Sequence, residues 1–351
     1  MTQKQTTVRR AYKFRAYPVG RTSRKAKRAM RTCGAIWNAA VGERWGRYHE
    51  SQKNDDVKPV RGSYEQYHLV RKREHPEYAH MDAQSMQDVL VKVDGSFKSY
   101  WALKKKDPDA KPPKIKKELW HYKVLVFRQS GWRLEGNRLV LSRIGEFKLK
   151  LHRPFAGRIK TVTVSRSYNK WYVVFSCDEV PTCALPDTGK SVKIFFADGC
   201  FLYDNNGRLV HHPQFYFSQI SRLRVLSRAL SRKQKGSKNR DKARTIFRRF
   251  HAAIKDRRSH FLWSLANDYV AKYDVIDIPS LPLKRMIQHA ATGIYAMRLC
   301  DSAYALFVDM LRCKAEEYGR KITEYDSDKL FDIQKITGPC RAMSHKVVAI
   351  Q

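Results

Sequence analysis

Twelve cations fall within residues 232–258: Arg232, Lys233, Lys235, Lys238, Arg240, Lys242, Arg244, Arg248, Arg249, Lys255, Arg257 and Arg258, against only Asp241 and Asp256. The chemistry open to such a run is contact with phosphate, which releases counterions, gives salt-dependent affinity and fixes register without reading bases. A merely solvated face of this composition would leave like-charge i,i+4 repulsion with little relief. The carboxylates that could bind a metal are sparse by comparison. Asp198, Asp277, Asp326, Asp328 and Asp332 are spread over the second half of the chain, and Asp204 opens an Asp-Asn-Asn-Gly turn. Twelve histidines show no metal-ligand spacing; His211 and His212 stand together before Pro213. Seven cysteines, an odd number with no CxxC among them, fit a reducing compartment better than a disulfide framework.

Elements must position these groups. The cationic run is carried by two predicted helices within residues 214–272. One has a stripe of Tyr216, Ile220, Leu223, Leu226 and Leu230; the other has Ala243, Phe247, Phe250, Ile254, Phe261, Leu265 and Tyr269. Both stripes are expected to pack on the domain, leaving charge outside. At the other end, Val8 to Tyr17 mixes aromatic and basic residues with a period near two and ends at Pro18, which predicts a strand with outward cations. The pattern from Ser23 to about Lys106 is helical, with polar breaks at residues 51–61 and 74–76. Met86, Val89, Leu90, Val93, Phe97 and Trp101 mark one amphipathic helix. A proline-broken linker, residues 104–113, leads to short strands between Tyr122 and Glu179 with a hairpin signal at Gly136-Asn137, an antiparallel sheet or barrel. After residues 181–190 come two strands, the basic helices, a strand at Asp274–Ile278 and a helix near Tyr304–Tyr318, the order of a mixed α/β domain.

The chain as a whole agrees with phosphate chemistry. Its 351 residues suffice for two or three domains, and 70 Lys plus Arg against 33 Asp plus Glu give a net charge of +37, which calls for a polyanionic partner. Hydrophobic residues at 42% and aromatics at 12% exclude a disordered basic tail. No stretch reaches the ~20 apolar residues of a membrane span, and Met1–Lys4 has no signal-peptide core behind it. The charge is not gathered on one amphipathic helix, so no membrane partner is expected.

Several collinear segments resemble a known family, the transposon-encoded RNA-guided nucleases called TnpB, relatives of the type V CRISPR effectors. They are Ala11-Tyr12-Lys13-Phe14-Arg15 with Tyr17-Pro18; Ile36-Trp37-Asn38-Ala39 with Arg44 and Tyr48; and Gln84, Gln87 and Phe97. They continue with Leu151-His152-Arg153-Pro154 through Trp171-Tyr172-Val173-Val174-Phe175, Leu230-Ser231-Arg232-Lys233, Gly236-Ser237-Lys238-Asn239-Arg240, and Lys314-Ala315-Glu316 with Tyr318-Gly319. The resemblance implies an α+β multidomain fold. Residues 1–20 and 114–183 would form a wedge β-barrel and residues 21–113 a helical recognition domain. Residues 189–351 would form a degenerate, truncated RuvC-like RNase H domain without the zinc finger.

Such a nuclease holds two divalent metals on carboxylates. Phe195 stands where the resemblance implies the first Asp, in Lys193-Ile194-Phe195-Phe196-Ala197, and Pro279 stands where it implies the Glu. The third ligand would lie beyond a four-cysteine finger, where this sequence has only Cys340 before Gln351. The resemblance therefore narrows to the nuclease-dead TnpB-like repressors (TldR). They are not enzymes, carry no metal or zinc, and use a guide RNA to occupy DNA beside a short motif and block RNA polymerase, in the bacterial cytoplasm at the nucleoid. Two alternatives stay open: an active endonuclease with displaced carboxylates, and an RNA-binding transposon relic. A three-residue displacement along a strand moves a ligand by about 10 Å and to the other face. Asp277, two residues before Pro279, keeps that position's face.

The motif beside the target falls, by the same resemblance, to Tyr48, Tyr64, Arg71, Lys72, Gln84 and Gln87; Gln pairs with adenine and Arg with guanine in a major groove. Guide RNA and the heteroduplex fall to Arg9, Arg10, Lys13, Arg15, Arg232, Lys233, Lys238, Arg240, Arg248, Arg249, Arg257 and Arg258. Trp37 and Trp101 are expected in the core.

Overall fold

The computed structural model describes residues 7–119, 122–168, 170–196, 200–280, 282–288 and 292–326. The chain divides into two compact units, one of residues 9–181 and one of residues 182 onward together with residues 1–8.

In the first unit, β1 (Thr7–Pro18) alternates as its period predicts, with Phe14 and Ala16 buried and Arg9, Lys13 and Tyr17 exposed. Helix α1 (Thr22–Ser51) buries Ala26, Ala29, Met30, Cys33, Ile36 and Ala40, and α2 (Ala83–Lys104) buries Met86, Val89, Leu90, Val93 and Phe97, each at spacings of three and four. Asp82 caps α2 by accepting from the Ser85 amide at 3.1 Å. Residues between these helices do not continue the helical pattern. They form two short 3₁₀ turns, Ser63–Val70 and Pro76–His80, where a three-residue repeat suffices to place Tyr64 against Tyr67. Gln66 ties this stretch down. Its Nε2 donates to the Ala40 carbonyl at 2.9 Å and to Glu43 at 2.8 Å, and its Oε1 accepts from Arg44 Nε at 2.7 Å. Arg44 in turn reaches Asp94 of α2 at 3.1 Å, so one buried cation joins α1, the turns and α2.

Six further strands complete this unit: β2 (Val124–Phe127), β3 (Trp132–Glu135), β4 (Arg138–Leu141), β5 (Gly145–Lys150), β6 (Arg158–Ser167) and β7 (Lys170–Pro181). They join β1 in one nearly closed antiparallel barrel of order β2-β6-β7-β1-β5-β4-β3. Its interior includes Phe14, Phe147, Leu149, Val162, Val164, Val173 and Phe175, from one face of β1, β5, β6 and β7. The β3–β4 hairpin turns at Gly136-Asn137, where Gly136 takes a positive φ of 55°, as a two-residue hairpin demands.

The second unit contains β8 (Ser191–Phe195), β9 (Leu202–Asp204), β10 (Leu209–Val210), α3 (Ile220–Ser231), α4 (Lys238–Lys272), β11 (Val275–Ser280), α5 (Leu283–Gln288), α6 (Gly293–Ser302), α7 (Tyr304–Tyr318) and β12 (Lys321–Asp326). The sheet order is β10-β9-β8-β11-β12. Strands β8, β11 and β12 are parallel, and β9 and β10 are antiparallel to their neighbours. Val192, Ile194, Ile276 and Ile278 on one face form a core with Leu262, Leu265, Ala266, Tyr269 and Val270 of α4 and Phe307, Leu311 and Ala315 of α7. The α+β class, barrel plus helical insertion followed by a mixed α/β unit, is the architecture observed. Helices α5 and α6 are additions that the sequence reading did not distinguish. Thr292 caps α6, and Ala303, at φ 53°, separates it from α7 without a glycine to signal the break.

Candidate nucleic-acid interface

Two strong cationic surfaces and one polar insert hold the residues singled out from the sequence. The α3–α4 hairpin is the largest. α4 has 35 residues and is therefore ~52 Å long. Only its C-terminal part is anchored: Ile254, Leu262, Leu265, Ala266, Tyr269 and Val270 are buried, whereas no residue before Ile254 is. α3 buries Leu223 alone. The expectation that both apolar stripes pack on the domain holds for the far half of α4; in the near half, Ala243, Phe247 and Phe250 are half-buried.

The turn between the helices is built from its own polar groups. Gly236 adopts φ 86°, Ser237 Oγ accepts from the Arg240 amide at 3.1 Å, and Arg240 Nη1 donates to the Leu230 and Lys233 carbonyls at 3.2 and 2.7 Å. Arg240 thus closes the C-terminus of α3 and is not a freely presented cation. Arg258 is likewise engaged. It lies 3.5 Å from the carboxylate of Asp301, whose side chain is 1% exposed, and it also reaches the Asp301 and Cys300 carbonyls. Each of these two guanidiniums is thus engaged by acceptors within its own unit, unlike the exposed cations around it.

The other predicted cations of the hairpin, Arg232, Lys233, Lys238, Arg248, Arg249 and Arg257, are exposed. At about 100° per residue, Lys238, Lys242 and Arg249 fall within roughly 40° of one another, turned away from Ile254 and Leu265. None of the three has an acidic partner among the described residues. Lys238 even sits in the first turn, the end of a helix that disfavours cations. Arg244, by contrast, pairs with Asp241 at 2.9 Å.

The second surface is the outer face of the barrel. Arg9, Lys13 and Arg15 share one face of β1; Arg10 falls on the opposite, half-buried face, because alternation separates neighbours. The Lys13 ammonium lies 4.4 Å from the Tyr172 ring, and the Arg15 guanidinium lies between Tyr172 and Tyr17 at 5.2 and 5.3 Å. Register places Lys150 opposite Arg15 and Lys148 opposite Tyr17. Sequence reasoning missed these two lysines and Tyr172, although the alternation of Lys148 and Lys150 in β5 was the available signal. Arg9 pairs with Asp178, whose carboxyl is held below its usual range, first by a hydrogen bond from Lys160 and then by the charges of Lys160, Arg9 and Arg158.

The insert residues are not gathered at one point. Tyr48 is half-buried against Trp101 at 5.2 Å, and Tyr64 is exposed beside Tyr67. Arg71 pairs with Glu74 at 3.2 Å. Lys72 is half-buried, its ammonium pKa lowered by burial and then by Arg143. Gln84 uses its carbonyl oxygen to accept from the Gln129 and Ser130 amides at 3.2 Å, so it positions the β2–β3 loop. Gln87 is half-buried. Trp37 is not a core residue: its indole donates to the Lys114 carbonyl at 3.2 Å, and Asn38 exchanges two hydrogen bonds with the Lys116 backbone at 2.8 and 2.9 Å. Ile36-Trp37-Asn38 therefore fastens the linker that leads into the barrel.

The positions expected to hold metal lie at the carboxyl ends of β8 and β11. Phe195 stacks on Tyr203, Pro279 is buried, and Asp277 accepts from the Thr323 hydroxyl. Among the described residues no three His, Cys, Asp or Glu side chains group as a metal site, so a two-metal centre does not fit the side chains described there. Asp326 ends β12 with an exposed side chain; Asp198, Asp328, Asp332 and Cys340 lie outside the described residues.

Residues 200–290 match the family model of the OrfB_IS605 "Probable transposase". A "Putative RNA-guided DNA endonuclease" of Streptomyces pristinaespiralis is 27% identical over 344 residues, 97% of this chain and 82% of that protein. The "Putative RNA-guided DNA endonuclease InsQ" of Escherichia coli K12 is 24% identical over 287 residues, 80% of this chain and 68% of its own. Among solved structures, the Cas12f1–sgRNA–target DNA complex shares the fold at a TM-score of 0.50 and 12% identity, covering 95% of each chain. The coarser resemblance, to transposon-encoded RNA-guided nucleases and type V effectors, is thereby supported. The expectation that the chain is not an enzyme is corrected: both relatives are named as a "Putative RNA-guided DNA endonuclease", which points to an enzyme. Among the described residues no helix is long and apolar enough to cross a membrane.

Proposed function

We propose that this chain binds a guide RNA and, through it, finds matching DNA beside a short motif. The observation that carries the reading is similarity along 97% of the chain to a protein named as an RNA-guided DNA endonuclease. The two cationic surfaces support it physically. A heteroduplex can be gripped by its backbone and shape while base pairing reads sequence. In this reading the barrel is the wedge, residues 21–113 are the recognition domain, and the hairpin of the second unit lies along phosphates.

A finer reading is that occupancy of a promoter excludes RNA polymerase and so represses transcription. In this reading the unpaired stripe of Lys238, Lys242 and Arg249 would hold the backbone of the occupied DNA.

The test begins with the protein purified at moderate salt and the RNA that accompanies it. One discrete RNA, with a constant scaffold and a short variable segment, is expected. Loaded with it, the chain should shift only duplexes that match that segment. Adding Mg²⁺ or Mn²⁺ reads cutting in the same tube, and a promoter–reporter fusion carrying the match reads repression. A diffuse mixture of cellular RNA, with no guide-dependent shift, would refute the proposal.

A further inference from the structure

The loop that leads into the cationic hairpin, residues 211–219 between β10 and α3, holds the hairpin at its foot. The helix it feeds has little anchorage of its own: α3 buries Leu223 alone and packs on α4. Two hydrogen bonds fasten the loop. The Tyr216 amide donates to Asp301 Oδ2 at 2.9 Å, and the Gln214 amide donates to His212 Nδ1 at 2.7 Å. The Ser218 amide then donates to the Gln214 carbonyl at 2.9 Å, so the turn at Gln214 passes into the 3₁₀ turn Phe217–Gln219 and directly into α3. Gln214 takes φ 46°, a left-handed conformation that favours glycine, and the turn therefore depends on the bonds that pin it.

The His212 ring is half-buried, 6.0 Å from the Phe201 ring and 6.4 Å from that of Phe215, and both of these rings pack on Phe261 of α4. Because an amide N–H points at Nδ1, that nitrogen is the bare one, and the neutral ring carries its proton on Nε2. A second proton can go only to Nδ1, where it would face the Gln214 N–H as donor against donor. The closed turn and the imidazolium are mutually exclusive. Burial holds the imidazole below its ordinary pKa against the pull of Asp301 of α6, and Arg258 of α4 acts in the same sense as burial. On α7 the Tyr304 phenol ring stands against Phe201.

We propose that His212 is a proton-operated latch at the foot of the cationic hairpin: neutral, it holds the 212–216 turn and with it the start of α3; protonated, it releases both. The open loop takes a proton near ~6.5, the closed loop only at lower pH. The latch is thus at full strength above ~6.5 and weakens as pH falls from there toward the closed-state value. Acid frees α3, while α4, buried from Ile254 onward, stays in place. The latch belongs to the protein's own backbone and does not depend on guide-directed targeting.

The full-length chain, as purified, is labelled by hydrogen–deuterium exchange at about pH 7.5 and about pH 5.5, with labelling times adjusted for the intrinsic pH dependence of amide exchange. Peptides covering residues 211–220 are expected to lose protection in acid, and those from the buried end of α4 to keep it. His212→Asn places an acceptor oxygen where Nδ1 stood but does not titrate, so it should stay protected at both pH values. It also retains His211, whose own titration is thereby subtracted. His212→Phe keeps the ring packing without an acceptor and should be open at both. An equal response to acid in the parent and His212→Asn overturns the latch, as does full protection of His212→Phe at neutral pH. Should His212→Phe not fold, the first comparison decides alone. Should His212→Asn fail to fold or to close at neutral pH, NMR titration of the His212 ring in the parent decides. A midpoint below ~6.5 that coincides with the loss of protection supports the latch, and any other midpoint overturns it.

Discussion

Neutralising the outward stripe of α4 in the triple variant Lys238→Gln/Lys242→Gln/Arg249→Gln tests whether the hairpin lies on phosphates. The three side chains are exposed, lack acidic partners among the described residues and lie on one side of a helix whose opposite side is anchored only beyond residue 253. Removing them should therefore leave folding intact. Each contact with a duplex phosphate contributes ~0.9 to the slope of log K against log salt, so the slope should fall by roughly 2.7. Extrapolated from 1 M, each lost contact costs about eight-fold at 0.1 M salt, or ~1.2 kcal/mol, and all three together roughly 500-fold. The assay is fluorescence anisotropy of the RNA-loaded protein with a matched duplex at four or more salt concentrations. Parallel log–log lines for parent and variant would refute the placement of this helix on phosphate, however much the affinity changed.

Three further outcomes follow from buried or pinned groups. Arg258→Met should act on stability and not on the salt slope: it leaves the Asp301 carboxylate with the Tyr216 amide at 2.9 Å but without its cation, a loss of ~3 kcal/mol visible as a fall of about 5–10 °C in Tm by calorimetry. Asp274 accepts from the Thr188 amide and hydroxyl and the Gly189 amide and faces Arg320, which together hold its carboxyl below the usual range. Its folded pKa being the lower, it contributes stability fully above ~3.9, lost as pH falls toward the folded value. The difference in urea midpoint between the parent and Asp274→Asn should accordingly be largest near pH 6 and shrink below pH 4; a constant difference would exclude a stabilising role for the Asp274 charge. Burial pushes the Cys33 thiol up to about 12, so iodoacetamide at pH 8 should label the exposed Cys183, Cys300 and Cys313 and spare Cys33, as read by mass spectrometry.

Much of the fold was legible because local periodicity carries it. The alternation in Val8–Tyr17, the three- and four-residue spacing from Met86 to Phe97 and the Gly136-Asn137 turn each specify an element without reference to anything distant. The α6–α7 break was not legible, since Ala303 takes a left-handed conformation that favours glycine and that only its surroundings can impose. Among site residues, exposed cations such as Arg249 could be expected from charge alone. Arg240, Arg258 and Gln84 could not be told from them, because the groups they bond lie up to 46 residues away.

The sequence by itself determined that this protein carries a large positive charge on a folded α+β frame, because composition and short-range periodicity are properties of the chain. Tertiary structure alone decided which cations face outward and which close turns or neutralise buried carboxylates. It alone also set Phe195 beside Tyr203 and Pro279 beside Tyr325, since strand register is set by cross-strand pairing between segments as much as 84 residues apart.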